Sequence, residues 1–342
     1  MTTGAAALAV GLALAVGATA PGQAAAAPAG PTCGGDSASA LRAAAEAATA
    51  PLAGETPAPA ATGTATDKIS YSLPGQLPIG LWSSSGVTLR TPVAKGGTVR
   101  LDVDSKGFST DSLTVQRYDT ATHRWVDLDT KPGGGSRPTH GVFTFPVTAT
   151  TAGPRQPHTV ALRLQDLDRP GTVTVAASVS DGRGHTYRAP ARTATTTRPQ
   201  VVLTGWQRGA TLQRGGTGRE VTVTVKNTTD RAYPALAASY FAVGIGTGHA
   251  LAPKDMTLRQ YRTGRGWETV PLVATGCDPG MSAGLRPESG AKTLTPGATA
   301  TYRLRIAVNR GAPRDVKSAD AGVSVGTTQT SFFSQELPFT IR

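Results

Sequence analysis

The segment Ser112-Leu-Thr-Val-Gln-Arg-Tyr118 precedes Arg124-Trp-Val-Asp-Leu128, and Asp255-Met-Thr-Leu-Arg-Gln-Tyr261 precedes Gly266-Trp-Glu-Thr-Val270 in the same arrangement. In both copies, apolar and polar residues alternate on either side of a short turn, which is typical of a β-hairpin. A unit that occurs twice in one chain with this period predicts two tandem β domains.

The sequence around the two hairpins is also similar. The apolar positions Val99, Leu101 and Val103 alternate with polar residues, as do Val221, Val223 and Val225. Further along, the segment 160–164 corresponds to 302–306. In this alignment the second copy contains an insertion over 231–253. Each copy is predicted to close around its own apolar core.

The four tryptophans form two matched pairs in this alignment, Trp82 with Trp206 and Trp125 with Trp267. Residues at equivalent places in two copies usually serve the shared core, although tryptophans can also be sugar-stacking platforms. We therefore predict six core anchors, namely Trp82, Trp125, Trp206, Trp267, Tyr118 and Tyr261.

Composition supports an all-β fold. The chain has 41 glycines and 25 prolines in 342 residues, and candidate strands recur about every ten residues, as in a β-sandwich. We predict two tandem immunoglobulin-like β-sandwich domains after a signal peptide and a short N-terminal segment. The predicted parts are a signal peptide at 1–27, an Ala/Pro-rich segment with a short helix at 28–67, sandwich 1 at 68–190, a linker at 191–199 and sandwich 2 at 200–342.

The first residues predict export. Residues 5–20 are uncharged and apolar, and Ala24 to Ala27 offer small residues suited to signal peptidase cleavage. The rival interpretation is a membrane anchor, but the apolar run is shorter than the roughly 20 residues that span a bilayer. We expect a secreted protein that has no membrane span after signal removal and is associated with the cell wall or free outside the cell.

Only two cysteines occur, Cys33 and Cys277. An exported chain can keep a disulfide, and this pair would attach the N-terminal segment to sandwich 2. Two free thiols and an intermolecular bond remain alternatives. A metal site is not expected, because two cysteines without a clustered histidine do not complete a tetrahedral shell.

The charge is positive in both repeats. The chain has a formal net charge of +12; residues 68–198 contain 16 basic and 9 acidic residues, and residues 199–342 contain 17 and 9. Such a surface attracts anionic polymers, although it can also serve solubility alone. Nucleic acid is not an expected partner, because no basic helix and no Lys/Arg run interleaved with stacking aromatics occurs.

Several segments resemble the immunoglobulin-like repeats of secreted actinobacterial cell-envelope proteins. The strand and turn Val221-Thr-Val-Thr-Val-Lys-Asn-Thr-Thr-Asp230 with Tyr233, and Leu294-Thr-Pro-Gly297 before 301–306, carry the resemblance together with the Tyr…Trp hairpin. The similarity covers 200–342 well and 85–180 less well. It implies export and a β-sandwich, and it supplies no catalytic residues.

No catalytic, metal or cofactor motif is recognised. Residues 102–107 begin like a calcium loop, but Lys106 and Leu113 stand where oxygen ligands are needed. The five histidines form no His-x-His or His-x-x-x-His pair, and no Gly-x-Ser-x-Gly elbow is present. The interpretation is therefore a non-enzymatic protein without a cofactor.

We expect a binding or spacer protein of the cell envelope whose partner is an anionic wall polymer or another protein. Tyr240 and Phe241 are candidate binding residues on loops at one end of sandwich 2. Two alternatives remain open, a secreted hydrolase acting on polysaccharide, with a site built from loops, and an inhibitor or accessory subunit of another exported enzyme.

Overall fold

The computed structural model describes residues 61–133, 135–234, 236–275, 279–327 and 329–342. The predicted signal peptide, most of the N-terminal segment and the pairing of Cys33 with Cys277 lie outside the described residues. Within them, no helix is long and apolar enough to cross a membrane.

Residues 69–197 form two facing sheets, which we call sandwich 1. The first sheet has five strands in the order β1 (Ile69–Ser72), β3 (Ser83–Leu89), β9 (His158–Asp166), β5 (Leu113–Asp119) and β6 (Arg124–Asp127). The second has seven, in the order β2 (Gln76–Pro78), β12 (Arg192–Thr197), β10 (Gly171–Ser180), β4 (Thr98–Lys106), β8 (His140–Pro146) and β7 (Thr130–Pro132), with β11 (Thr186–Arg188) also on β10.

Residues 200–341 repeat this topology as sandwich 2. Its five-stranded sheet has the order β13 (Gln200–Thr204), β15 (Arg219–Lys226), β21 (Thr299–Val308), β17 (Met256–Arg262) and β18 (Gly266–Val270). Its seven-stranded sheet has the order β14 (Ala210–Leu212), β24 (Phe339–Ile341), β22 (Ser318–Gly326), β16 (Ala237–Val243), β20 (Met281–Leu285) and β19 (Val273–Ala274), with β23 (Ser331–Glu336) on β22. The predicted all-β fold with two tandem sandwiches is confirmed.

Alternation of side chains builds both cores. In β4, Val99, Leu101 and Val103 are buried while the intervening residues face outward. In β21 the buried side chains are Ala300, Tyr302, Leu304, Ile306 and Val308. Burying a large aliphatic side chain stabilises the fold by about 1.5–3 kcal/mol. Each sheet therefore turns one apolar face to its partner sheet.

The topology corrects part of the alignment of the two copies. The hairpins β5–β6 and β17–β18 are equivalent, and so are the central strands β9 and β21. However, β15 corresponds to β3 rather than to β4, so matching Val99–Val103 with Val221–Val225 was wrong. Residues 231–253 contain β16, the counterpart of β4, and are no insertion. Alternating Val/Thr runs look alike in either sheet, and only the strand pairing distinguishes them.

The predicted linker over 191–199 is mostly strand. Strand β12 occupies 192–197 between β2 and β10, with Ala194 and Thr196 buried. The Thr/Ala composition of this stretch predicts a linker. In the folded chain, however, alternate small residues of the same stretch are buried in a strand. Only Arg198 and Pro199 separate β12 from β13.

One residue of the sandwich 1 segment packs in the core of sandwich 2. Ile79 follows β2 of sandwich 1, yet its side chain is 0% exposed within the apolar core of sandwich 2. The buried Tyr233 hydroxyl donates to the Ile79 carbonyl at 3.0 Å, and Arg231 donates to the Trp82 carbonyl. Each copy closes around its own core as expected, with one exception among the buried residues: the chain after β2 places Ile79 in the core of the neighbouring sandwich.

Polar contacts extend this junction between the sandwiches. The Gln165 amide donates to Gln329 at 2.7 Å, and the Thr330 hydroxyl donates to the Leu167 carbonyl at 2.9 Å. Gly80 has a φ of +77°, and a Cβ there would lie 2.9 Å from a methyl group of Thr327. The junction thus combines the buried Ile79 with polar contacts between the two sandwiches.

A buried carboxylate lies beside the junction. Asp166 is 0% exposed; its Oδ1 accepts from the Asp168 amide at 3.0 Å and from the Ser112 hydroxyl at 3.4 Å. Its Oδ2 has no hydrogen-bond partner among the described residues. Burial raises the pKa of Asp166 to about 6, because a charged carboxylate loses its hydration there.

Replacing Ile79 tests whether this residue belongs to the core of sandwich 2. We expect Ile79→Ala to destabilise sandwich 2 by about 2–5 kcal/mol, because it leaves a cavity in that core. Leu77→Ala, two residues earlier, belongs to the core of sandwich 1 and is the matched control. Hydrogen exchange should show lost protection in β21 and β22 for Ile79→Ala. Loss confined to β4 and β10 would contradict the assignment.

Replacing Asp166 tests the buried charge. Because its pKa in the folded protein lies above the unfolded value, the folded state binds more protons between about pH 4 and 6. This carboxylate therefore makes the free energy of unfolding fall by up to about 3 kcal/mol as the pH rises from 4 to 7. Asp166→Asn should lack that fall.

Urea denaturation at several pH values measures the difference between wild type and variant. The control is Asp111→Asn, which removes an exposed carboxylate at the turn before β5. If the pH profile of Asp166→Asn equals that of the wild type, residue 166 is not the source of the pH dependence of the free energy of unfolding.

Candidate functional site

The outward faces of the two five-stranded sheets bear an aromatic pair at the same place. Tyr118 and Trp125 face each other across β5 and β6, with ring centroids 5.3 Å apart and an interplanar angle of 67°. Tyr261 and Trp267 do so across β17 and β18, at 5.7 Å and 75°. Edge-to-face geometry suits aromatic quadrupoles. The prediction that Trp125 and Trp267 are equivalent is confirmed.

Arginines from the central strands stack on these rings. The guanidinium carbon of Arg163 lies 4.5 Å from the Trp125 centroid and 4.2 Å from that of Trp82. In sandwich 2, the guanidinium carbon of Arg305 lies 4.4 Å from the Trp267 centroid, and Arg303 lies 3.8 Å from Tyr261. Cation–π contacts of this kind hold arginine heads against the sheet surface.

This placement differs from the prediction of six core anchors. All four tryptophans and both tyrosines are half-buried, and five of the six lie outside the two apolar cores. Trp206 packs against the edge of the second core, with its ring 6.1 Å from that of Phe339. Trp82 lies before β3 and Trp206 lies between β13 and β14, so these two are not equivalent. The large buried rings are instead those of Tyr71, Tyr233, Tyr240, Tyr302 and Phe143.

Tyr240 and Phe241, predicted on a binding loop, lie in the middle of β16. Tyr240 points into the core and is 0% exposed, and burial raises the pKa of its hydroxyl. Phe241 is 36% exposed and lies over Gly322, where a Cβ would collide with the ring. Tyr240 therefore serves packing, while Phe241 lies on the outward face of the seven-stranded sheet.

The cross-strand pair next to these rings differs between the two copies. In sandwich 1, Gln116 lies opposite Arg163, accepts its Nε–H at 2.6 Å and donates to Asp127 at 2.6 Å. In sandwich 2 the equivalent pair is Arg259 opposite Arg305. Like charges directly opposite in a sheet destabilise it. Sandwich 2 thus carries an unfavourable arrangement that sandwich 1 avoids.

The arginine pair is only partly compensated. Arg305 donates two hydrogen bonds to Oε1 of Glu220 on β15. Arg259 donates one, from Nη2 to the Trp267 carbonyl at 2.7 Å. The two guanidinium groups therefore have one carboxylate, that of Glu220, to balance their charge.

A cavity of about 260 Å³ opens beside this pair. We call it the arginine cavity, and its walls include Arg259, Arg305, Arg310 and the loop 215–217. Arg310 has no hydrogen-bonded or ionic partner among the described residues, and no Asp or Glu lines the cavity. The walls thus supply three positive charges and no negative one.

Hydrogen bonds donated by Arg214 hold the adjacent loop 215–217 in place. Arg214 donates to the carbonyls of Ala312, Pro313 and Val316, at 3.3, 2.9 and 2.6 Å. Gly215 has a φ of +73°, and a Cβ there would lie 3.3 Å from Arg310 Nε. The glycine therefore lets the Arg310 side chain lie close over the loop. The cavity is a formed feature of the fold.

The sequence analysis did not single out Arg259, Arg305 or Arg310. A signal was available in the hairpin alignment, where Gln116 of the first copy stands against Arg259 of the second. The contribution of Arg310 and of the loop 215–217 was not visible, because these residues meet the pair only in the folded chain.

Other titratable groups form local pairs. His140, His185 and His249 each place Nδ1 within 3.0 Å of an aspartate, respectively Asp104, Asp181 and Asp315. Hydrogen bonds from the Gly248 amide and from His249 lower the pKa of Asp315 to about 2. In the described ranges, no group of three or more His, Cys, Asp or Glu side chains could hold a metal ion.

No protein-family model matches this sequence, and no curated protein is similar to it. The C-terminal domain of the Streptococcus pyogenes antigen I/II-family protein AspA aligns with 80% of this chain and 99% of its own, at 10% identity and a TM-score of 0.41. The C-terminal domain of the Streptococcus agalactiae AgI/II polypeptide BspA aligns with 78% and 95%, at 11% identity and 0.34.

AvmM, which catalyses macrocyclization in alchivemycin A biosynthesis, aligns with 41% of this chain and 88% of its own, at 15% identity and a TM-score of 0.32. At such low identities and TM-scores, none of these similarities assigns a function.

Replacing Trp267 tests its place outside the core. We expect Trp267→Ala to cost about 1–2 kcal/mol, because the ring is half-buried and contributes mainly its contacts with Arg305 and Tyr261. Leu258→Ala, in the core on the neighbouring strand, should cost about 2–5 kcal/mol. Urea denaturation measures both values. A larger loss for Trp267→Ala would support the core-anchor interpretation instead.

Proposed function

We propose that this chain is a secreted, non-enzymatic binding protein of the cell envelope, in which sandwich 2 holds an anionic polymer at the arginine cavity. Sandwich 1 acts as its rigid spacer. The observation that carries the proposal is the pair Arg259–Arg305, two like charges directly opposite each other beside an unpaired Arg310. A bound anion would remove the repulsion that the protein alone leaves in place.

The charge distribution supports a polymeric anion. The excess of basic residues extends over both repeats, with 17 basic against 9 acidic residues in 199–342. A positively charged surface attracts an anionic polymer along the length of that polymer. The cavity would bind one group of the polymer. Binding should therefore weaken as salt screens the exposed charges.

The junction supports the spacer role. Ile79 and Tyr233 attach sandwich 1 to sandwich 2 through a buried contact, so the two sandwiches move together. Sandwich 1 has Gln116 in place of the second arginine, and Arg163 there is enclosed between two tryptophans. Its equivalent surface is therefore less suited to hold an anion.

A hydrolase acting on polysaccharide would need two carboxylates across the scissile bond. No carboxylate lines the arginine cavity, and Glu220 beside it is engaged by Arg305. These contacts favour binding over hydrolysis. An accessory role toward another exported enzyme is compatible with the same site if that enzyme presents an acidic surface.

The test is retention on isolated cell wall. We expect the wild-type protein to be retained at low salt and released at high salt, and Arg259→Gln/Arg310→Gln to bind about tenfold more weakly at low salt, because two charge-assisted contacts are lost. Co-sedimentation with the wall fraction measures the bound share.

The control is Arg124→Gln/Arg155→Gln, which removes the same number of charges from exposed positions in sandwich 1. Equal weakening by both double variants would mean that net charge alone drives retention. No retention of the wild type at low salt would reject the proposed function.

A further inference from the structure

We infer that the arginine cavity is a discrete site for one phosphate group of a phosphate-bearing polymer, an inference that rests on the proposed function and specifies its ligand. The three guanidinium groups reach the cavity from different places: Arg259 from β17, Arg305 from β21 and Arg310 from the segment after β21. Arg259 and Arg305 lie side by side on one face of the sheet, and Arg310 adds a third guanidinium group from the segment that follows β21.

The arrangement suits a tetrahedral anion better than a planar one. A carboxylate has two oxygens in one plane, which one arginine fork can satisfy. A phosphate group presents its oxygens at the corners of a tetrahedron, so more than one arginine can approach it, each from a different side. Arg259 uses one Nη2–H for the Trp267 carbonyl, which leaves its other N–H groups for a ligand.

The charge also matches. Three arginines with Glu220 bound to Arg305 give a formal charge of +2 around the cavity. A phosphate monoester carries about −1.5 to −2 at neutral pH, and a phosphodiester carries one negative charge. Two neutral side chains of the wall are already engaged, because Thr257 donates to Asn309 and Asn309 donates to the Lys254 carbonyl. Charge therefore dominates recognition here.

The volume of the arginine cavity limits the size of its ligand. At roughly 30 Å³ per water molecule, 260 Å³ corresponds to roughly nine waters. This volume accepts a phosphate group with part of its neighbouring unit, while the rest of a polymer must extend over the sheet surface. The edge-to-face rings of Tyr261 and Trp267 lie on that surface, because Arg305 contacts both the cavity and Trp267.

The experiment is calorimetric titration of the full chain with inorganic phosphate, and with acetate at the same ionic strength. We expect one saturable phosphate site per chain and no saturable acetate site. Arg259→Gln should weaken phosphate binding at least tenfold. This variant installs the residue that sandwich 1 carries at the equivalent position, Gln116, so the strand should tolerate it.

Arg310→Gln is the second variant, since its side chain is exposed and its loss should not affect folding. Arg155→Gln is the matched control and should bind phosphate like the wild type. Absence of a saturable phosphate site, equal acetate binding or equal weakening in Arg155→Gln would overturn the phosphate site. Salt-sensitive retention on the wall could persist in each case, so the two proposals fail separately.

A further arm distinguishes two sources of the phosphate group. The protein is sedimented with a poly(glycerol phosphate) chain coupled to beads and with vesicles containing phosphatidylglycerol, each with wild type and Arg259→Gln. We expect capture by the polymer beads that Arg259→Gln reduces at least tenfold. Capture by vesicles alone would place the phosphate in a lipid and overturn the polymer assignment.

Discussion

Burial of one face of the central strands is the constraint on which the rest of this structure depends. In β9 and β21, alternate side chains are sealed between two sheets, so the intervening residues must face outward. Arg163, Arg303 and Arg305 occupy those outward positions. Their heads lie on tryptophan and tyrosine rings of the neighbouring hairpins, which gives each sheet an ordered cationic surface.

The junction between the sandwiches imposes a second constraint. The segment after β2 places Ile79 in the core of the other sandwich, where the Tyr233 hydroxyl donates to the Ile79 carbonyl. A buried side chain from one sandwich in the core of the other restricts their relative movement. The buried Asp166 lies next to this segment, and its backbone carbonyl accepts from the Gly80 amide.

Because the chain contains two copies of the same fold, sandwich 1 can be compared with sandwich 2. Both sheets retain the Tyr–Trp hairpin and the stacked arginine, which shows what the fold uses in common. At the central pair they differ: Gln116 accepts a hydrogen bond from Arg163, whereas Arg259 lies opposite Arg305. This difference is the basis for placing the proposed anion site in sandwich 2.

The sequence by itself determined the all-β class, the presence of two copies and the hairpin equivalence, because alternation and turns are local properties. It did not determine which sheet each Val/Thr strand joins, since both faces of a sandwich use the same period. The tertiary structure alone decided that Ile79 serves the other core and that Trp125 and Trp267 lie outside both. It alone brought Arg310 and the loop 215–217 to Arg259 and Arg305, because these contacts join strands and loops that are far apart along the chain.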